Sequence, residues 1–253
     1  MKRRNFIRLG FLILLLALMV VSLSFTTLEM RKLPCTKVQV EIRGDRQYIT
    51  ADQVEKLLDR KMKKLTGCLI DTLDSERMEK ILEKHPWIKN AEVYKGIEKG
   101  DQSFLGGCLN IRIEQPDPIM KVMNGSDILY VDATGRTMPF PENDTKNVPV
   151  VTGHNPLGEL DRGLRDFVQY LNENKFWRAQ IQQIHVLPGH EFLLVPRLGG
   201  QIIEMGSLDG FEQKLVHLKA LYEQDFVMNG WNRYKKISLK WDGQIVCTRK
   251  NEQ

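Results

Sequence analysis

The sequence predicts an α+β protein in three parts. One apolar helix long enough to cross a membrane comes first, then a small module of order β-α-α-β-β, then a β-rich domain with two or three helices. Three observations carry this. Leu9 to Leu28 is a run of 20 residues without a charge. Between Thr50 and Pro116, two short helical patterns precede two strands of alternating polarity. From Asp117 onward, short apolar runs alternate with turns rich in Gly, Pro and Asp, the pattern of a β-rich fold.

The uncharged run reaches roughly 30 Å as a helix, the thickness of a bilayer's hydrocarbon core. A cleaved signal peptide would carry a shorter apolar core, about 7–15 residues, and Ser22-Leu23-Ser24 makes a weak cleavage site. The run therefore reads as a retained anchor. Lys2, Arg3, Arg4 and Arg8 crowd its N-terminal flank, whereas Glu29, Arg31 and Lys32 mix signs on the other. Positive charge stays in the cytoplasm. Residues 1–8 are thus expected to form a cytoplasmic tail and 9–28 the span, with the bulk of the chain on the far side of the membrane. The net charge is +5, from 37 basic and 32 acidic residues. With four of those cations before the membrane, the exported part is nearly neutral. No basic run is interleaved with aromatics, so nucleic acid is not an expected partner.

In the first module (residues 35–116), Val38 to Ile42 alternates as a half-buried strand. Thr50 and Gln53 have the spacing of a capping box, with Ile49 and Val54 placed as a hydrophobic staple. Val54, Leu57, Leu58 and Met62 share one helical face. Asp74 caps the next helix, stapled by Leu73 and Met78, and Met78, Ile81 and Leu82 face the core. Pro86 stops that helix. Ala91 and Val93, then Leu109, Ile111 and Ile113, point one way in two strands; Glu92, Asn110, Arg112 and Glu114 point the other. Gly96 to Gly107 reads as a loop rich in glycine and charge.

The second domain (117–250) opens with a hairpin around Asn124-Gly125-Ser126-Asp127 and a further turn at Asp132-Ala133-Thr134-Gly135. After a polar stretch from Pro139 to Asn147, Val148–Gly153 returns to strand. Leu160, Leu164, Phe167, Val168 and Leu171 define an amphipathic helix. Strands follow at Ile181–Leu187, Glu191–Arg197 and Gln201–Met205. A last helix carries Phe211, Leu215, Leu218 and Leu221. A hairpin closes the chain: Ile237–Trp241 and Gln244–Arg249 about Asp242-Gly243.

Catalytic chemistry has no foothold in this pattern. The five histidines are scattered, and no zinc-protease, nucleophile-elbow or phosphate-loop motif occurs. No enzyme activity, cofactor or metal is expected. Four widely spaced cysteines (Cys35, Cys68, Cys108, Cys247) are open to two readings, disulfides in an oxidising compartment or buried thiols. The sequons at Asn124 and Asn143 read as turns. Trp87 reads as a core or sheet-edge anchor. Trp241 continues the period of Ile237 and Leu239, so it serves either as a core cover or as a contact for a partner.

The strings His85-Pro86-Trp87-Ile88-Lys89-Asn90-Ala91-Glu92-Val93 and Leu109-Asn110-Ile111-Arg112-Ile113-Glu114-Gln115-Pro116 resemble the second half of a POTRA domain. Behind an anchor, they are followed by Tyr130-Val131-Asp132-Ala133-Thr134-Gly135, Val148-Pro149-Val150-Val151-Thr152-Gly153, Met205-Gly206 and Glu212-Gln213-Lys214-Leu215. In that order the chain resembles the FtsQ/DivIB family, bitopic scaffolds of bacterial cell division, over nearly its whole length. The Gly96–Gly107 segment departs from the family's tight hairpin, and the tail before the membrane is short.

The resemblance implies a non-enzymatic divisome scaffold in the cell inner membrane. It would link other bitopic division proteins at the septum, with further divisome proteins meeting the POTRA domain. It also implies that the last strand receives a segment of FtsB, which works with FtsL. By matched position that site holds Lys240, Trp241, Gln244, Ile245, Val246, Cys247 and Thr248. The family has Arg-Tyr where this chain has Lys240-Trp241, which keeps charge and aromaticity but changes donor geometry. The alternative is a POTRA component of outer-membrane assembly or secretion. Such proteins carry tandem POTRA units and a membrane barrel, and neither pattern is present here.

Overall fold

The computed structural model describes residues 11–21, 33–44, 47–62, 64–99, 105–141, 146–156, 158, 162–226, 228 and 230–250. Residues 11–21 form a helix, α1, with exposed side chains. The rest of the expected 9–28 span, and the 1–8 tail, lie outside the described residues. Among the described residues, no helix is long and apolar enough to cross a membrane.

The chain divides into two units, Met1–Pro116 and Asp117–Gln253. The first unit holds β1 (Cys35–Arg43), α2 (Ala51–Lys61), α3 (Ser75–Leu82), β2 (Asn90–Lys99) and β3 (Leu105–Glu114). This is the β-α-α-β-β order. Its sheet runs β1-β3-β2, parallel between β1 and β3 and antiparallel between β2 and β3. The order follows from local signals. Thr50 accepts from the Gln53 N–H, and the Gln53 side chain reciprocates, completing the capping box of α2. Asp74 caps α3 through the Arg77 N–H. Both staples are buried: Ile49 with Val54, and Leu73 with Met78.

Val54 and Leu58 of α2 and Met78 and Leu82 of α3 share one core with Ala91, Val93, Leu109, Ile111 and Ile113. On the opposite sheet face, Arg112 bridges Glu41 and Glu92, each at 3.1 Å. Trp87 is buried and stacks on Tyr48 with ring centroids 4.2 Å apart, so it is a core anchor.

One expectation in this unit is corrected. Much of Gly96–Gly107 is strand, not loop. Gly96 faces Cys108, Ile97 faces Gly107, Glu98 faces Gly106 and Lys99 faces Leu105. The glycines suggested a break, but Gly107 lies between β2 and β1 and packs against Ile70, where a Cβ would come within 2.7 Å of the Ile70 Cδ1. Here glycine marks close approach within a strand.

The second unit is one nine-stranded sheet. Its strands are β4 (Pro118–Asn124), β5 (Asp127–Asp132), β6 (Thr137–Pro139), β7 (Val150–Gly153), β8 (Ile181–Leu187), β9 (Glu191–Pro196), β10 (Ile202–Gly206), β11 (Tyr234–Ser238) and β12 (Val246–Arg249). Their spatial order is β12-β11-β10-β9-β8-β7-β4-β5-β6. Gly125 takes φ +65° at the first central position of the β4–β5 hairpin, which a two-residue turn of type II′ requires. The first sequon therefore lies in this turn, whereas Asn143 to Thr145 lie outside the described residues. Asp132 holds the next turn, accepting from the Thr134 and Arg136 N–H groups.

Helices α4 (Arg162–Glu173) and α5 (Lys175–Gln180) span the parallel crossover from β7 to β8, and α6 (Phe211–Leu221) that from β10 to β11. Leu164, Phe167, Val168 and Leu171 of α4 are buried as the periodicity predicts; Leu160 lies outside the described residues. Helix α5 is not legible in the sequence, because six residues give too little period. Asn174 caps it through the Phe176 and Trp177 N–H groups. Beyond α6, Tyr222–Phe226 forms a π turn. Tyr222, Phe226, Trp231 and Tyr234 gather there with centroids 4.7–5.8 Å apart.

Candidate functional site

Strand β12 ends the nine-stranded sheet, and among the described residues no strand pairs with its outer side. It is shorter than the sequence suggested. Gln244 and Ile245 are not strand residues but belong to the connection, as do Lys240 and Trp241; β11 closes at Ser238. The reason is local. Gly243 takes φ +66°, and the Gln244 N–H bonds back to the Trp241 carbonyl at 3.2 Å, tightening the corner. Val246, Cys247 and Thr248 lie on β12 as expected.

Hydrogen-bond alternation decides which groups this edge offers. Leu239 N–H bonds to the Glu204 carbonyl on β10, so Ser238 and Lys236 turn toward β12. They pair with Val246 and Thr248, and Lys250 N–H bonds to the Arg233 carbonyl. Successive residues of a strand alternate. The backbone groups of Val246, Thr248 and Lys250 therefore face β11, and those of Cys247 and Arg249 face outward. An incoming strand would meet the latter two.

The side chains divide as well. Ile245 and Cys247 are half-buried and pack on the core, whereas Val246 and Thr248 are exposed. Burial pushes the Cys247 thiol up, with the Asp225 carboxylate adding to the shift. Trp241 is 64% exposed, so it does not cover the core. Lys240 is already engaged: its Nζ lies 2.6 Å from Glu191 Oε2, which raises its pKa. Gly206, at φ +69°, gives the Lys240 stem room to pass; a Cβ there would lie 3.1 Å from Lys240 Cγ. Burial pushes the nearby Glu204 up, but hydrogen bonds from Lys236 and Ser238 outweigh it and leave the carboxyl below its usual range.

A cleft of about 310 Å³ opens beside this corner. Trp241, Lys240 and Gln244 line one wall and Gln213, Lys214 and His217 of α6 the other. Lys214 donates to the Met205 and Ser207 carbonyls, at 3.2 and 2.7 Å, tying α6 to the end of β10. Burial lowers its pKa. The α6 residues were missed as site residues because their periodicity marks only the core face. The cleft depends on β10 and β11 being parallel neighbours, which brings α6 over the corner. Among the described residues, no group of three His, Cys, Asp or Glu could hold a metal.

These features define a class: a small POTRA-type α+β module followed by a β domain whose last strand, β12, is left without an outer neighbour among the described residues. A POTRA-like domain model matches residues 33–100. The family described as "FtsQ/DivIB, C-terminal related" matches residues 117–248, more than half of the chain, and the chain belongs to the FtsQ/DivIB family. It is also similar to a protein named cell division protein FtsQ from Salinibacter ruber, with 23% identity over 177 residues. That match covers 64% of this chain and 65% of the relative, so the chain spans just under two thirds of the relative's length.

Proposed function

We propose that this chain is a non-enzymatic scaffold of bacterial cell division, anchored by residues 9–28, that captures a bitopic partner by strand addition at β12. The observation that carries the reading is the open edge of β12 with an exposed tryptophan at its corner, in a chain of the FtsQ/DivIB family. An edge strand offers main-chain donors and acceptors in a fixed register, and a strand from another chain can satisfy them. Cys247 and Arg249 would supply the main-chain bonds. Trp241 would supply aromatic contact area, the kind of residue on which binding energy concentrates. Lys240 would meet an acidic partner residue only by sharing or leaving Glu191. The occupant is an FtsB segment presented with FtsL, and other divisome proteins dock on the POTRA module. The chain sits in the inner membrane with its bulk periplasmic.

Calorimetry of the full chain in detergent against the FtsB–FtsL pair tests this. Removing Gln244–Gln253 should abolish binding while circular dichroism stays native. Unchanged affinity would move the site off β12. A strain depleted of the protein should grow as unseptated filaments, and normal septation would reject the division role.

A further inference from the structure

Cys35 and Cys68 lie far apart in sequence but face each other in the first unit. Pro34 and Leu69 form an antiparallel bridge, flanked by Ile70 N–H to the Leu33 carbonyl at 2.9 Å and Cys35 N–H to the Cys68 carbonyl at 2.7 Å. The next pair along that bridge is Cys35 and Cys68. Gly67 bulges there at φ +91° and donates its N–H to the Cys35 carbonyl at 2.8 Å, so Gly67 and Cys68 together oppose Cys35. Hydrogen-bonded antiparallel partners hold their Cα atoms about 5.5 Å apart. A disulfide spans about 4.4–6.8 Å between Cα atoms.

We propose that Cys35 and Cys68 are a cross-linking dithiol that closes to an intrachain disulfide when the protein meets a disulfide oxidant, stapling the start of β1 to the segment between α2 and α3. In the structure both are thiols, Cys35 Sγ directed at the Lys37 carbonyl and Cys68 Sγ at the Lys64 carbonyl. Closure needs side-chain rotation, and the backbone is already in place. Cys68 is half-exposed and Cys35 is 1% exposed. Burial also pushes the Cys35 thiol up, so the first attack falls to Cys68. The Cys68 thiolate attacks one sulfur of the oxidant, whose S–S bond breaks and whose other sulfur leaves as a thiolate. Cys35 then loses its proton and attacks the Cys68 sulfur, releasing the second half of the oxidant. Two protein thiols give up two electrons and two protons, and one small disulfide becomes two thiols.

Cys108 is the competitor, and the pleat sets it aside. Leu109, Ile111 and Ile113 face the core, so Cys108 belongs to the opposite face, where its Sγ lies 3.8 Å from Asn110 Oδ1. At the level of Cys35 the residue of β3 is Gly107.

The test is oxidation of the purified full chain with oxidised glutathione, then blocking of free thiols, proteolysis and mass spectrometry. The expected product is one peptide pair joining Cys35 to Cys68, lighter by two hydrogens, and reversed by reductant. Cys108→Ser should retain the link and Cys68→Ser should lose it. Closing a loop of this size should raise the thermal midpoint by roughly 10 °C in the wild type but not in Cys68→Ser. Because Cys35 is buried, its replacement is not used. A chain that stays fully alkylatable under oxidation, or a link that maps to Cys108 or Cys247, overturns the proposal.

Discussion

Single residues in this protein matter through the side of the sheet on which they fall. Ile111 is 1% exposed in the first core, so Ile111→Ala should cost about 2–5 kcal/mol in urea unfolding. Its neighbour Arg112 holds Glu41 and Glu92 in solvent, where screening weakens ion pairs, and its replacement should change stability far less. Equal costs at the two positions would contradict the strand's orientation. Tyr222 carries a pH dependence. Burial raises its phenol to about 12, with the Gln201 side chain offsetting part of the shift. The unfolded phenol ionises near pH 10. The contribution is therefore complete below about pH 10 and is lost as pH rises toward 12. Between about pH 9 and 11, the wild type should lose about 1–2 kcal/mol more stability than Tyr222→Phe. Parallel urea-midpoint profiles for the two proteins would place the alkaline sensitivity elsewhere.

For the elements, the closing strand gives the sharpest test. Proline removes an N–H, and which N–H it removes depends on the position along the strand. The Cys247 amide faces outward, so Cys247→Pro should weaken binding of the FtsB–FtsL pair by about tenfold or more, whereas Cys247→Ala stays within a few-fold. Val246→Pro instead removes a bond to β11 and should register as lost stability of the second unit. The pairing of Ser238 with Val246 turns the Val246 amide toward β11 and leaves Cys247 as the informative position. Calorimetry with circular dichroism on both proline variants reads the difference, and a selective binding loss in Val246→Pro would reverse the assigned edge. At the other end of the legibility scale stands α2. Thr50 and Gln53 predict its start from four residues, and Thr50→Ala should cost about 1 kcal/mol of stability.

At the scale of the whole molecule, the proposed anchor predicts that the charge on the two flanks of residues 9–28 sets topology. A reporter active only outside the cytoplasm, fused after Gln253, should be active, and charge reversal at Lys2, Arg3, Arg4 and Arg8 should reduce that activity. A mature chain starting near Ser24 or Phe25 would reject the anchor. Two cores serve two units, one of them sheltering the β-α-α-β-β module and the other a single sheet crossed by α4 to α6. If the chain is the scaffold proposed above, substituting each of the five histidines should leave septation intact in variants that fold and localise normally.

The sequence by itself determined where helices start and which strand residues face inward. Those features rest on contacts within a few residues: Thr50 with Gln53, Asp74 with Arg77, the alternation from Leu109 to Ile113, the glycine at position 125. Tertiary structure alone decided that Gly96–Lys99 and Leu105–Gly107 are paired strand and that α5 forms. It also shortened β12 to four residues and paired Lys240 with Glu191. The opposition of Cys35 to Cys68 and of α6 to the Trp241 corner belongs to the same set. Each depends on groups distant in the chain meeting through strand order and register, and register is fixed by the packing of whole faces, not by any local run of residues.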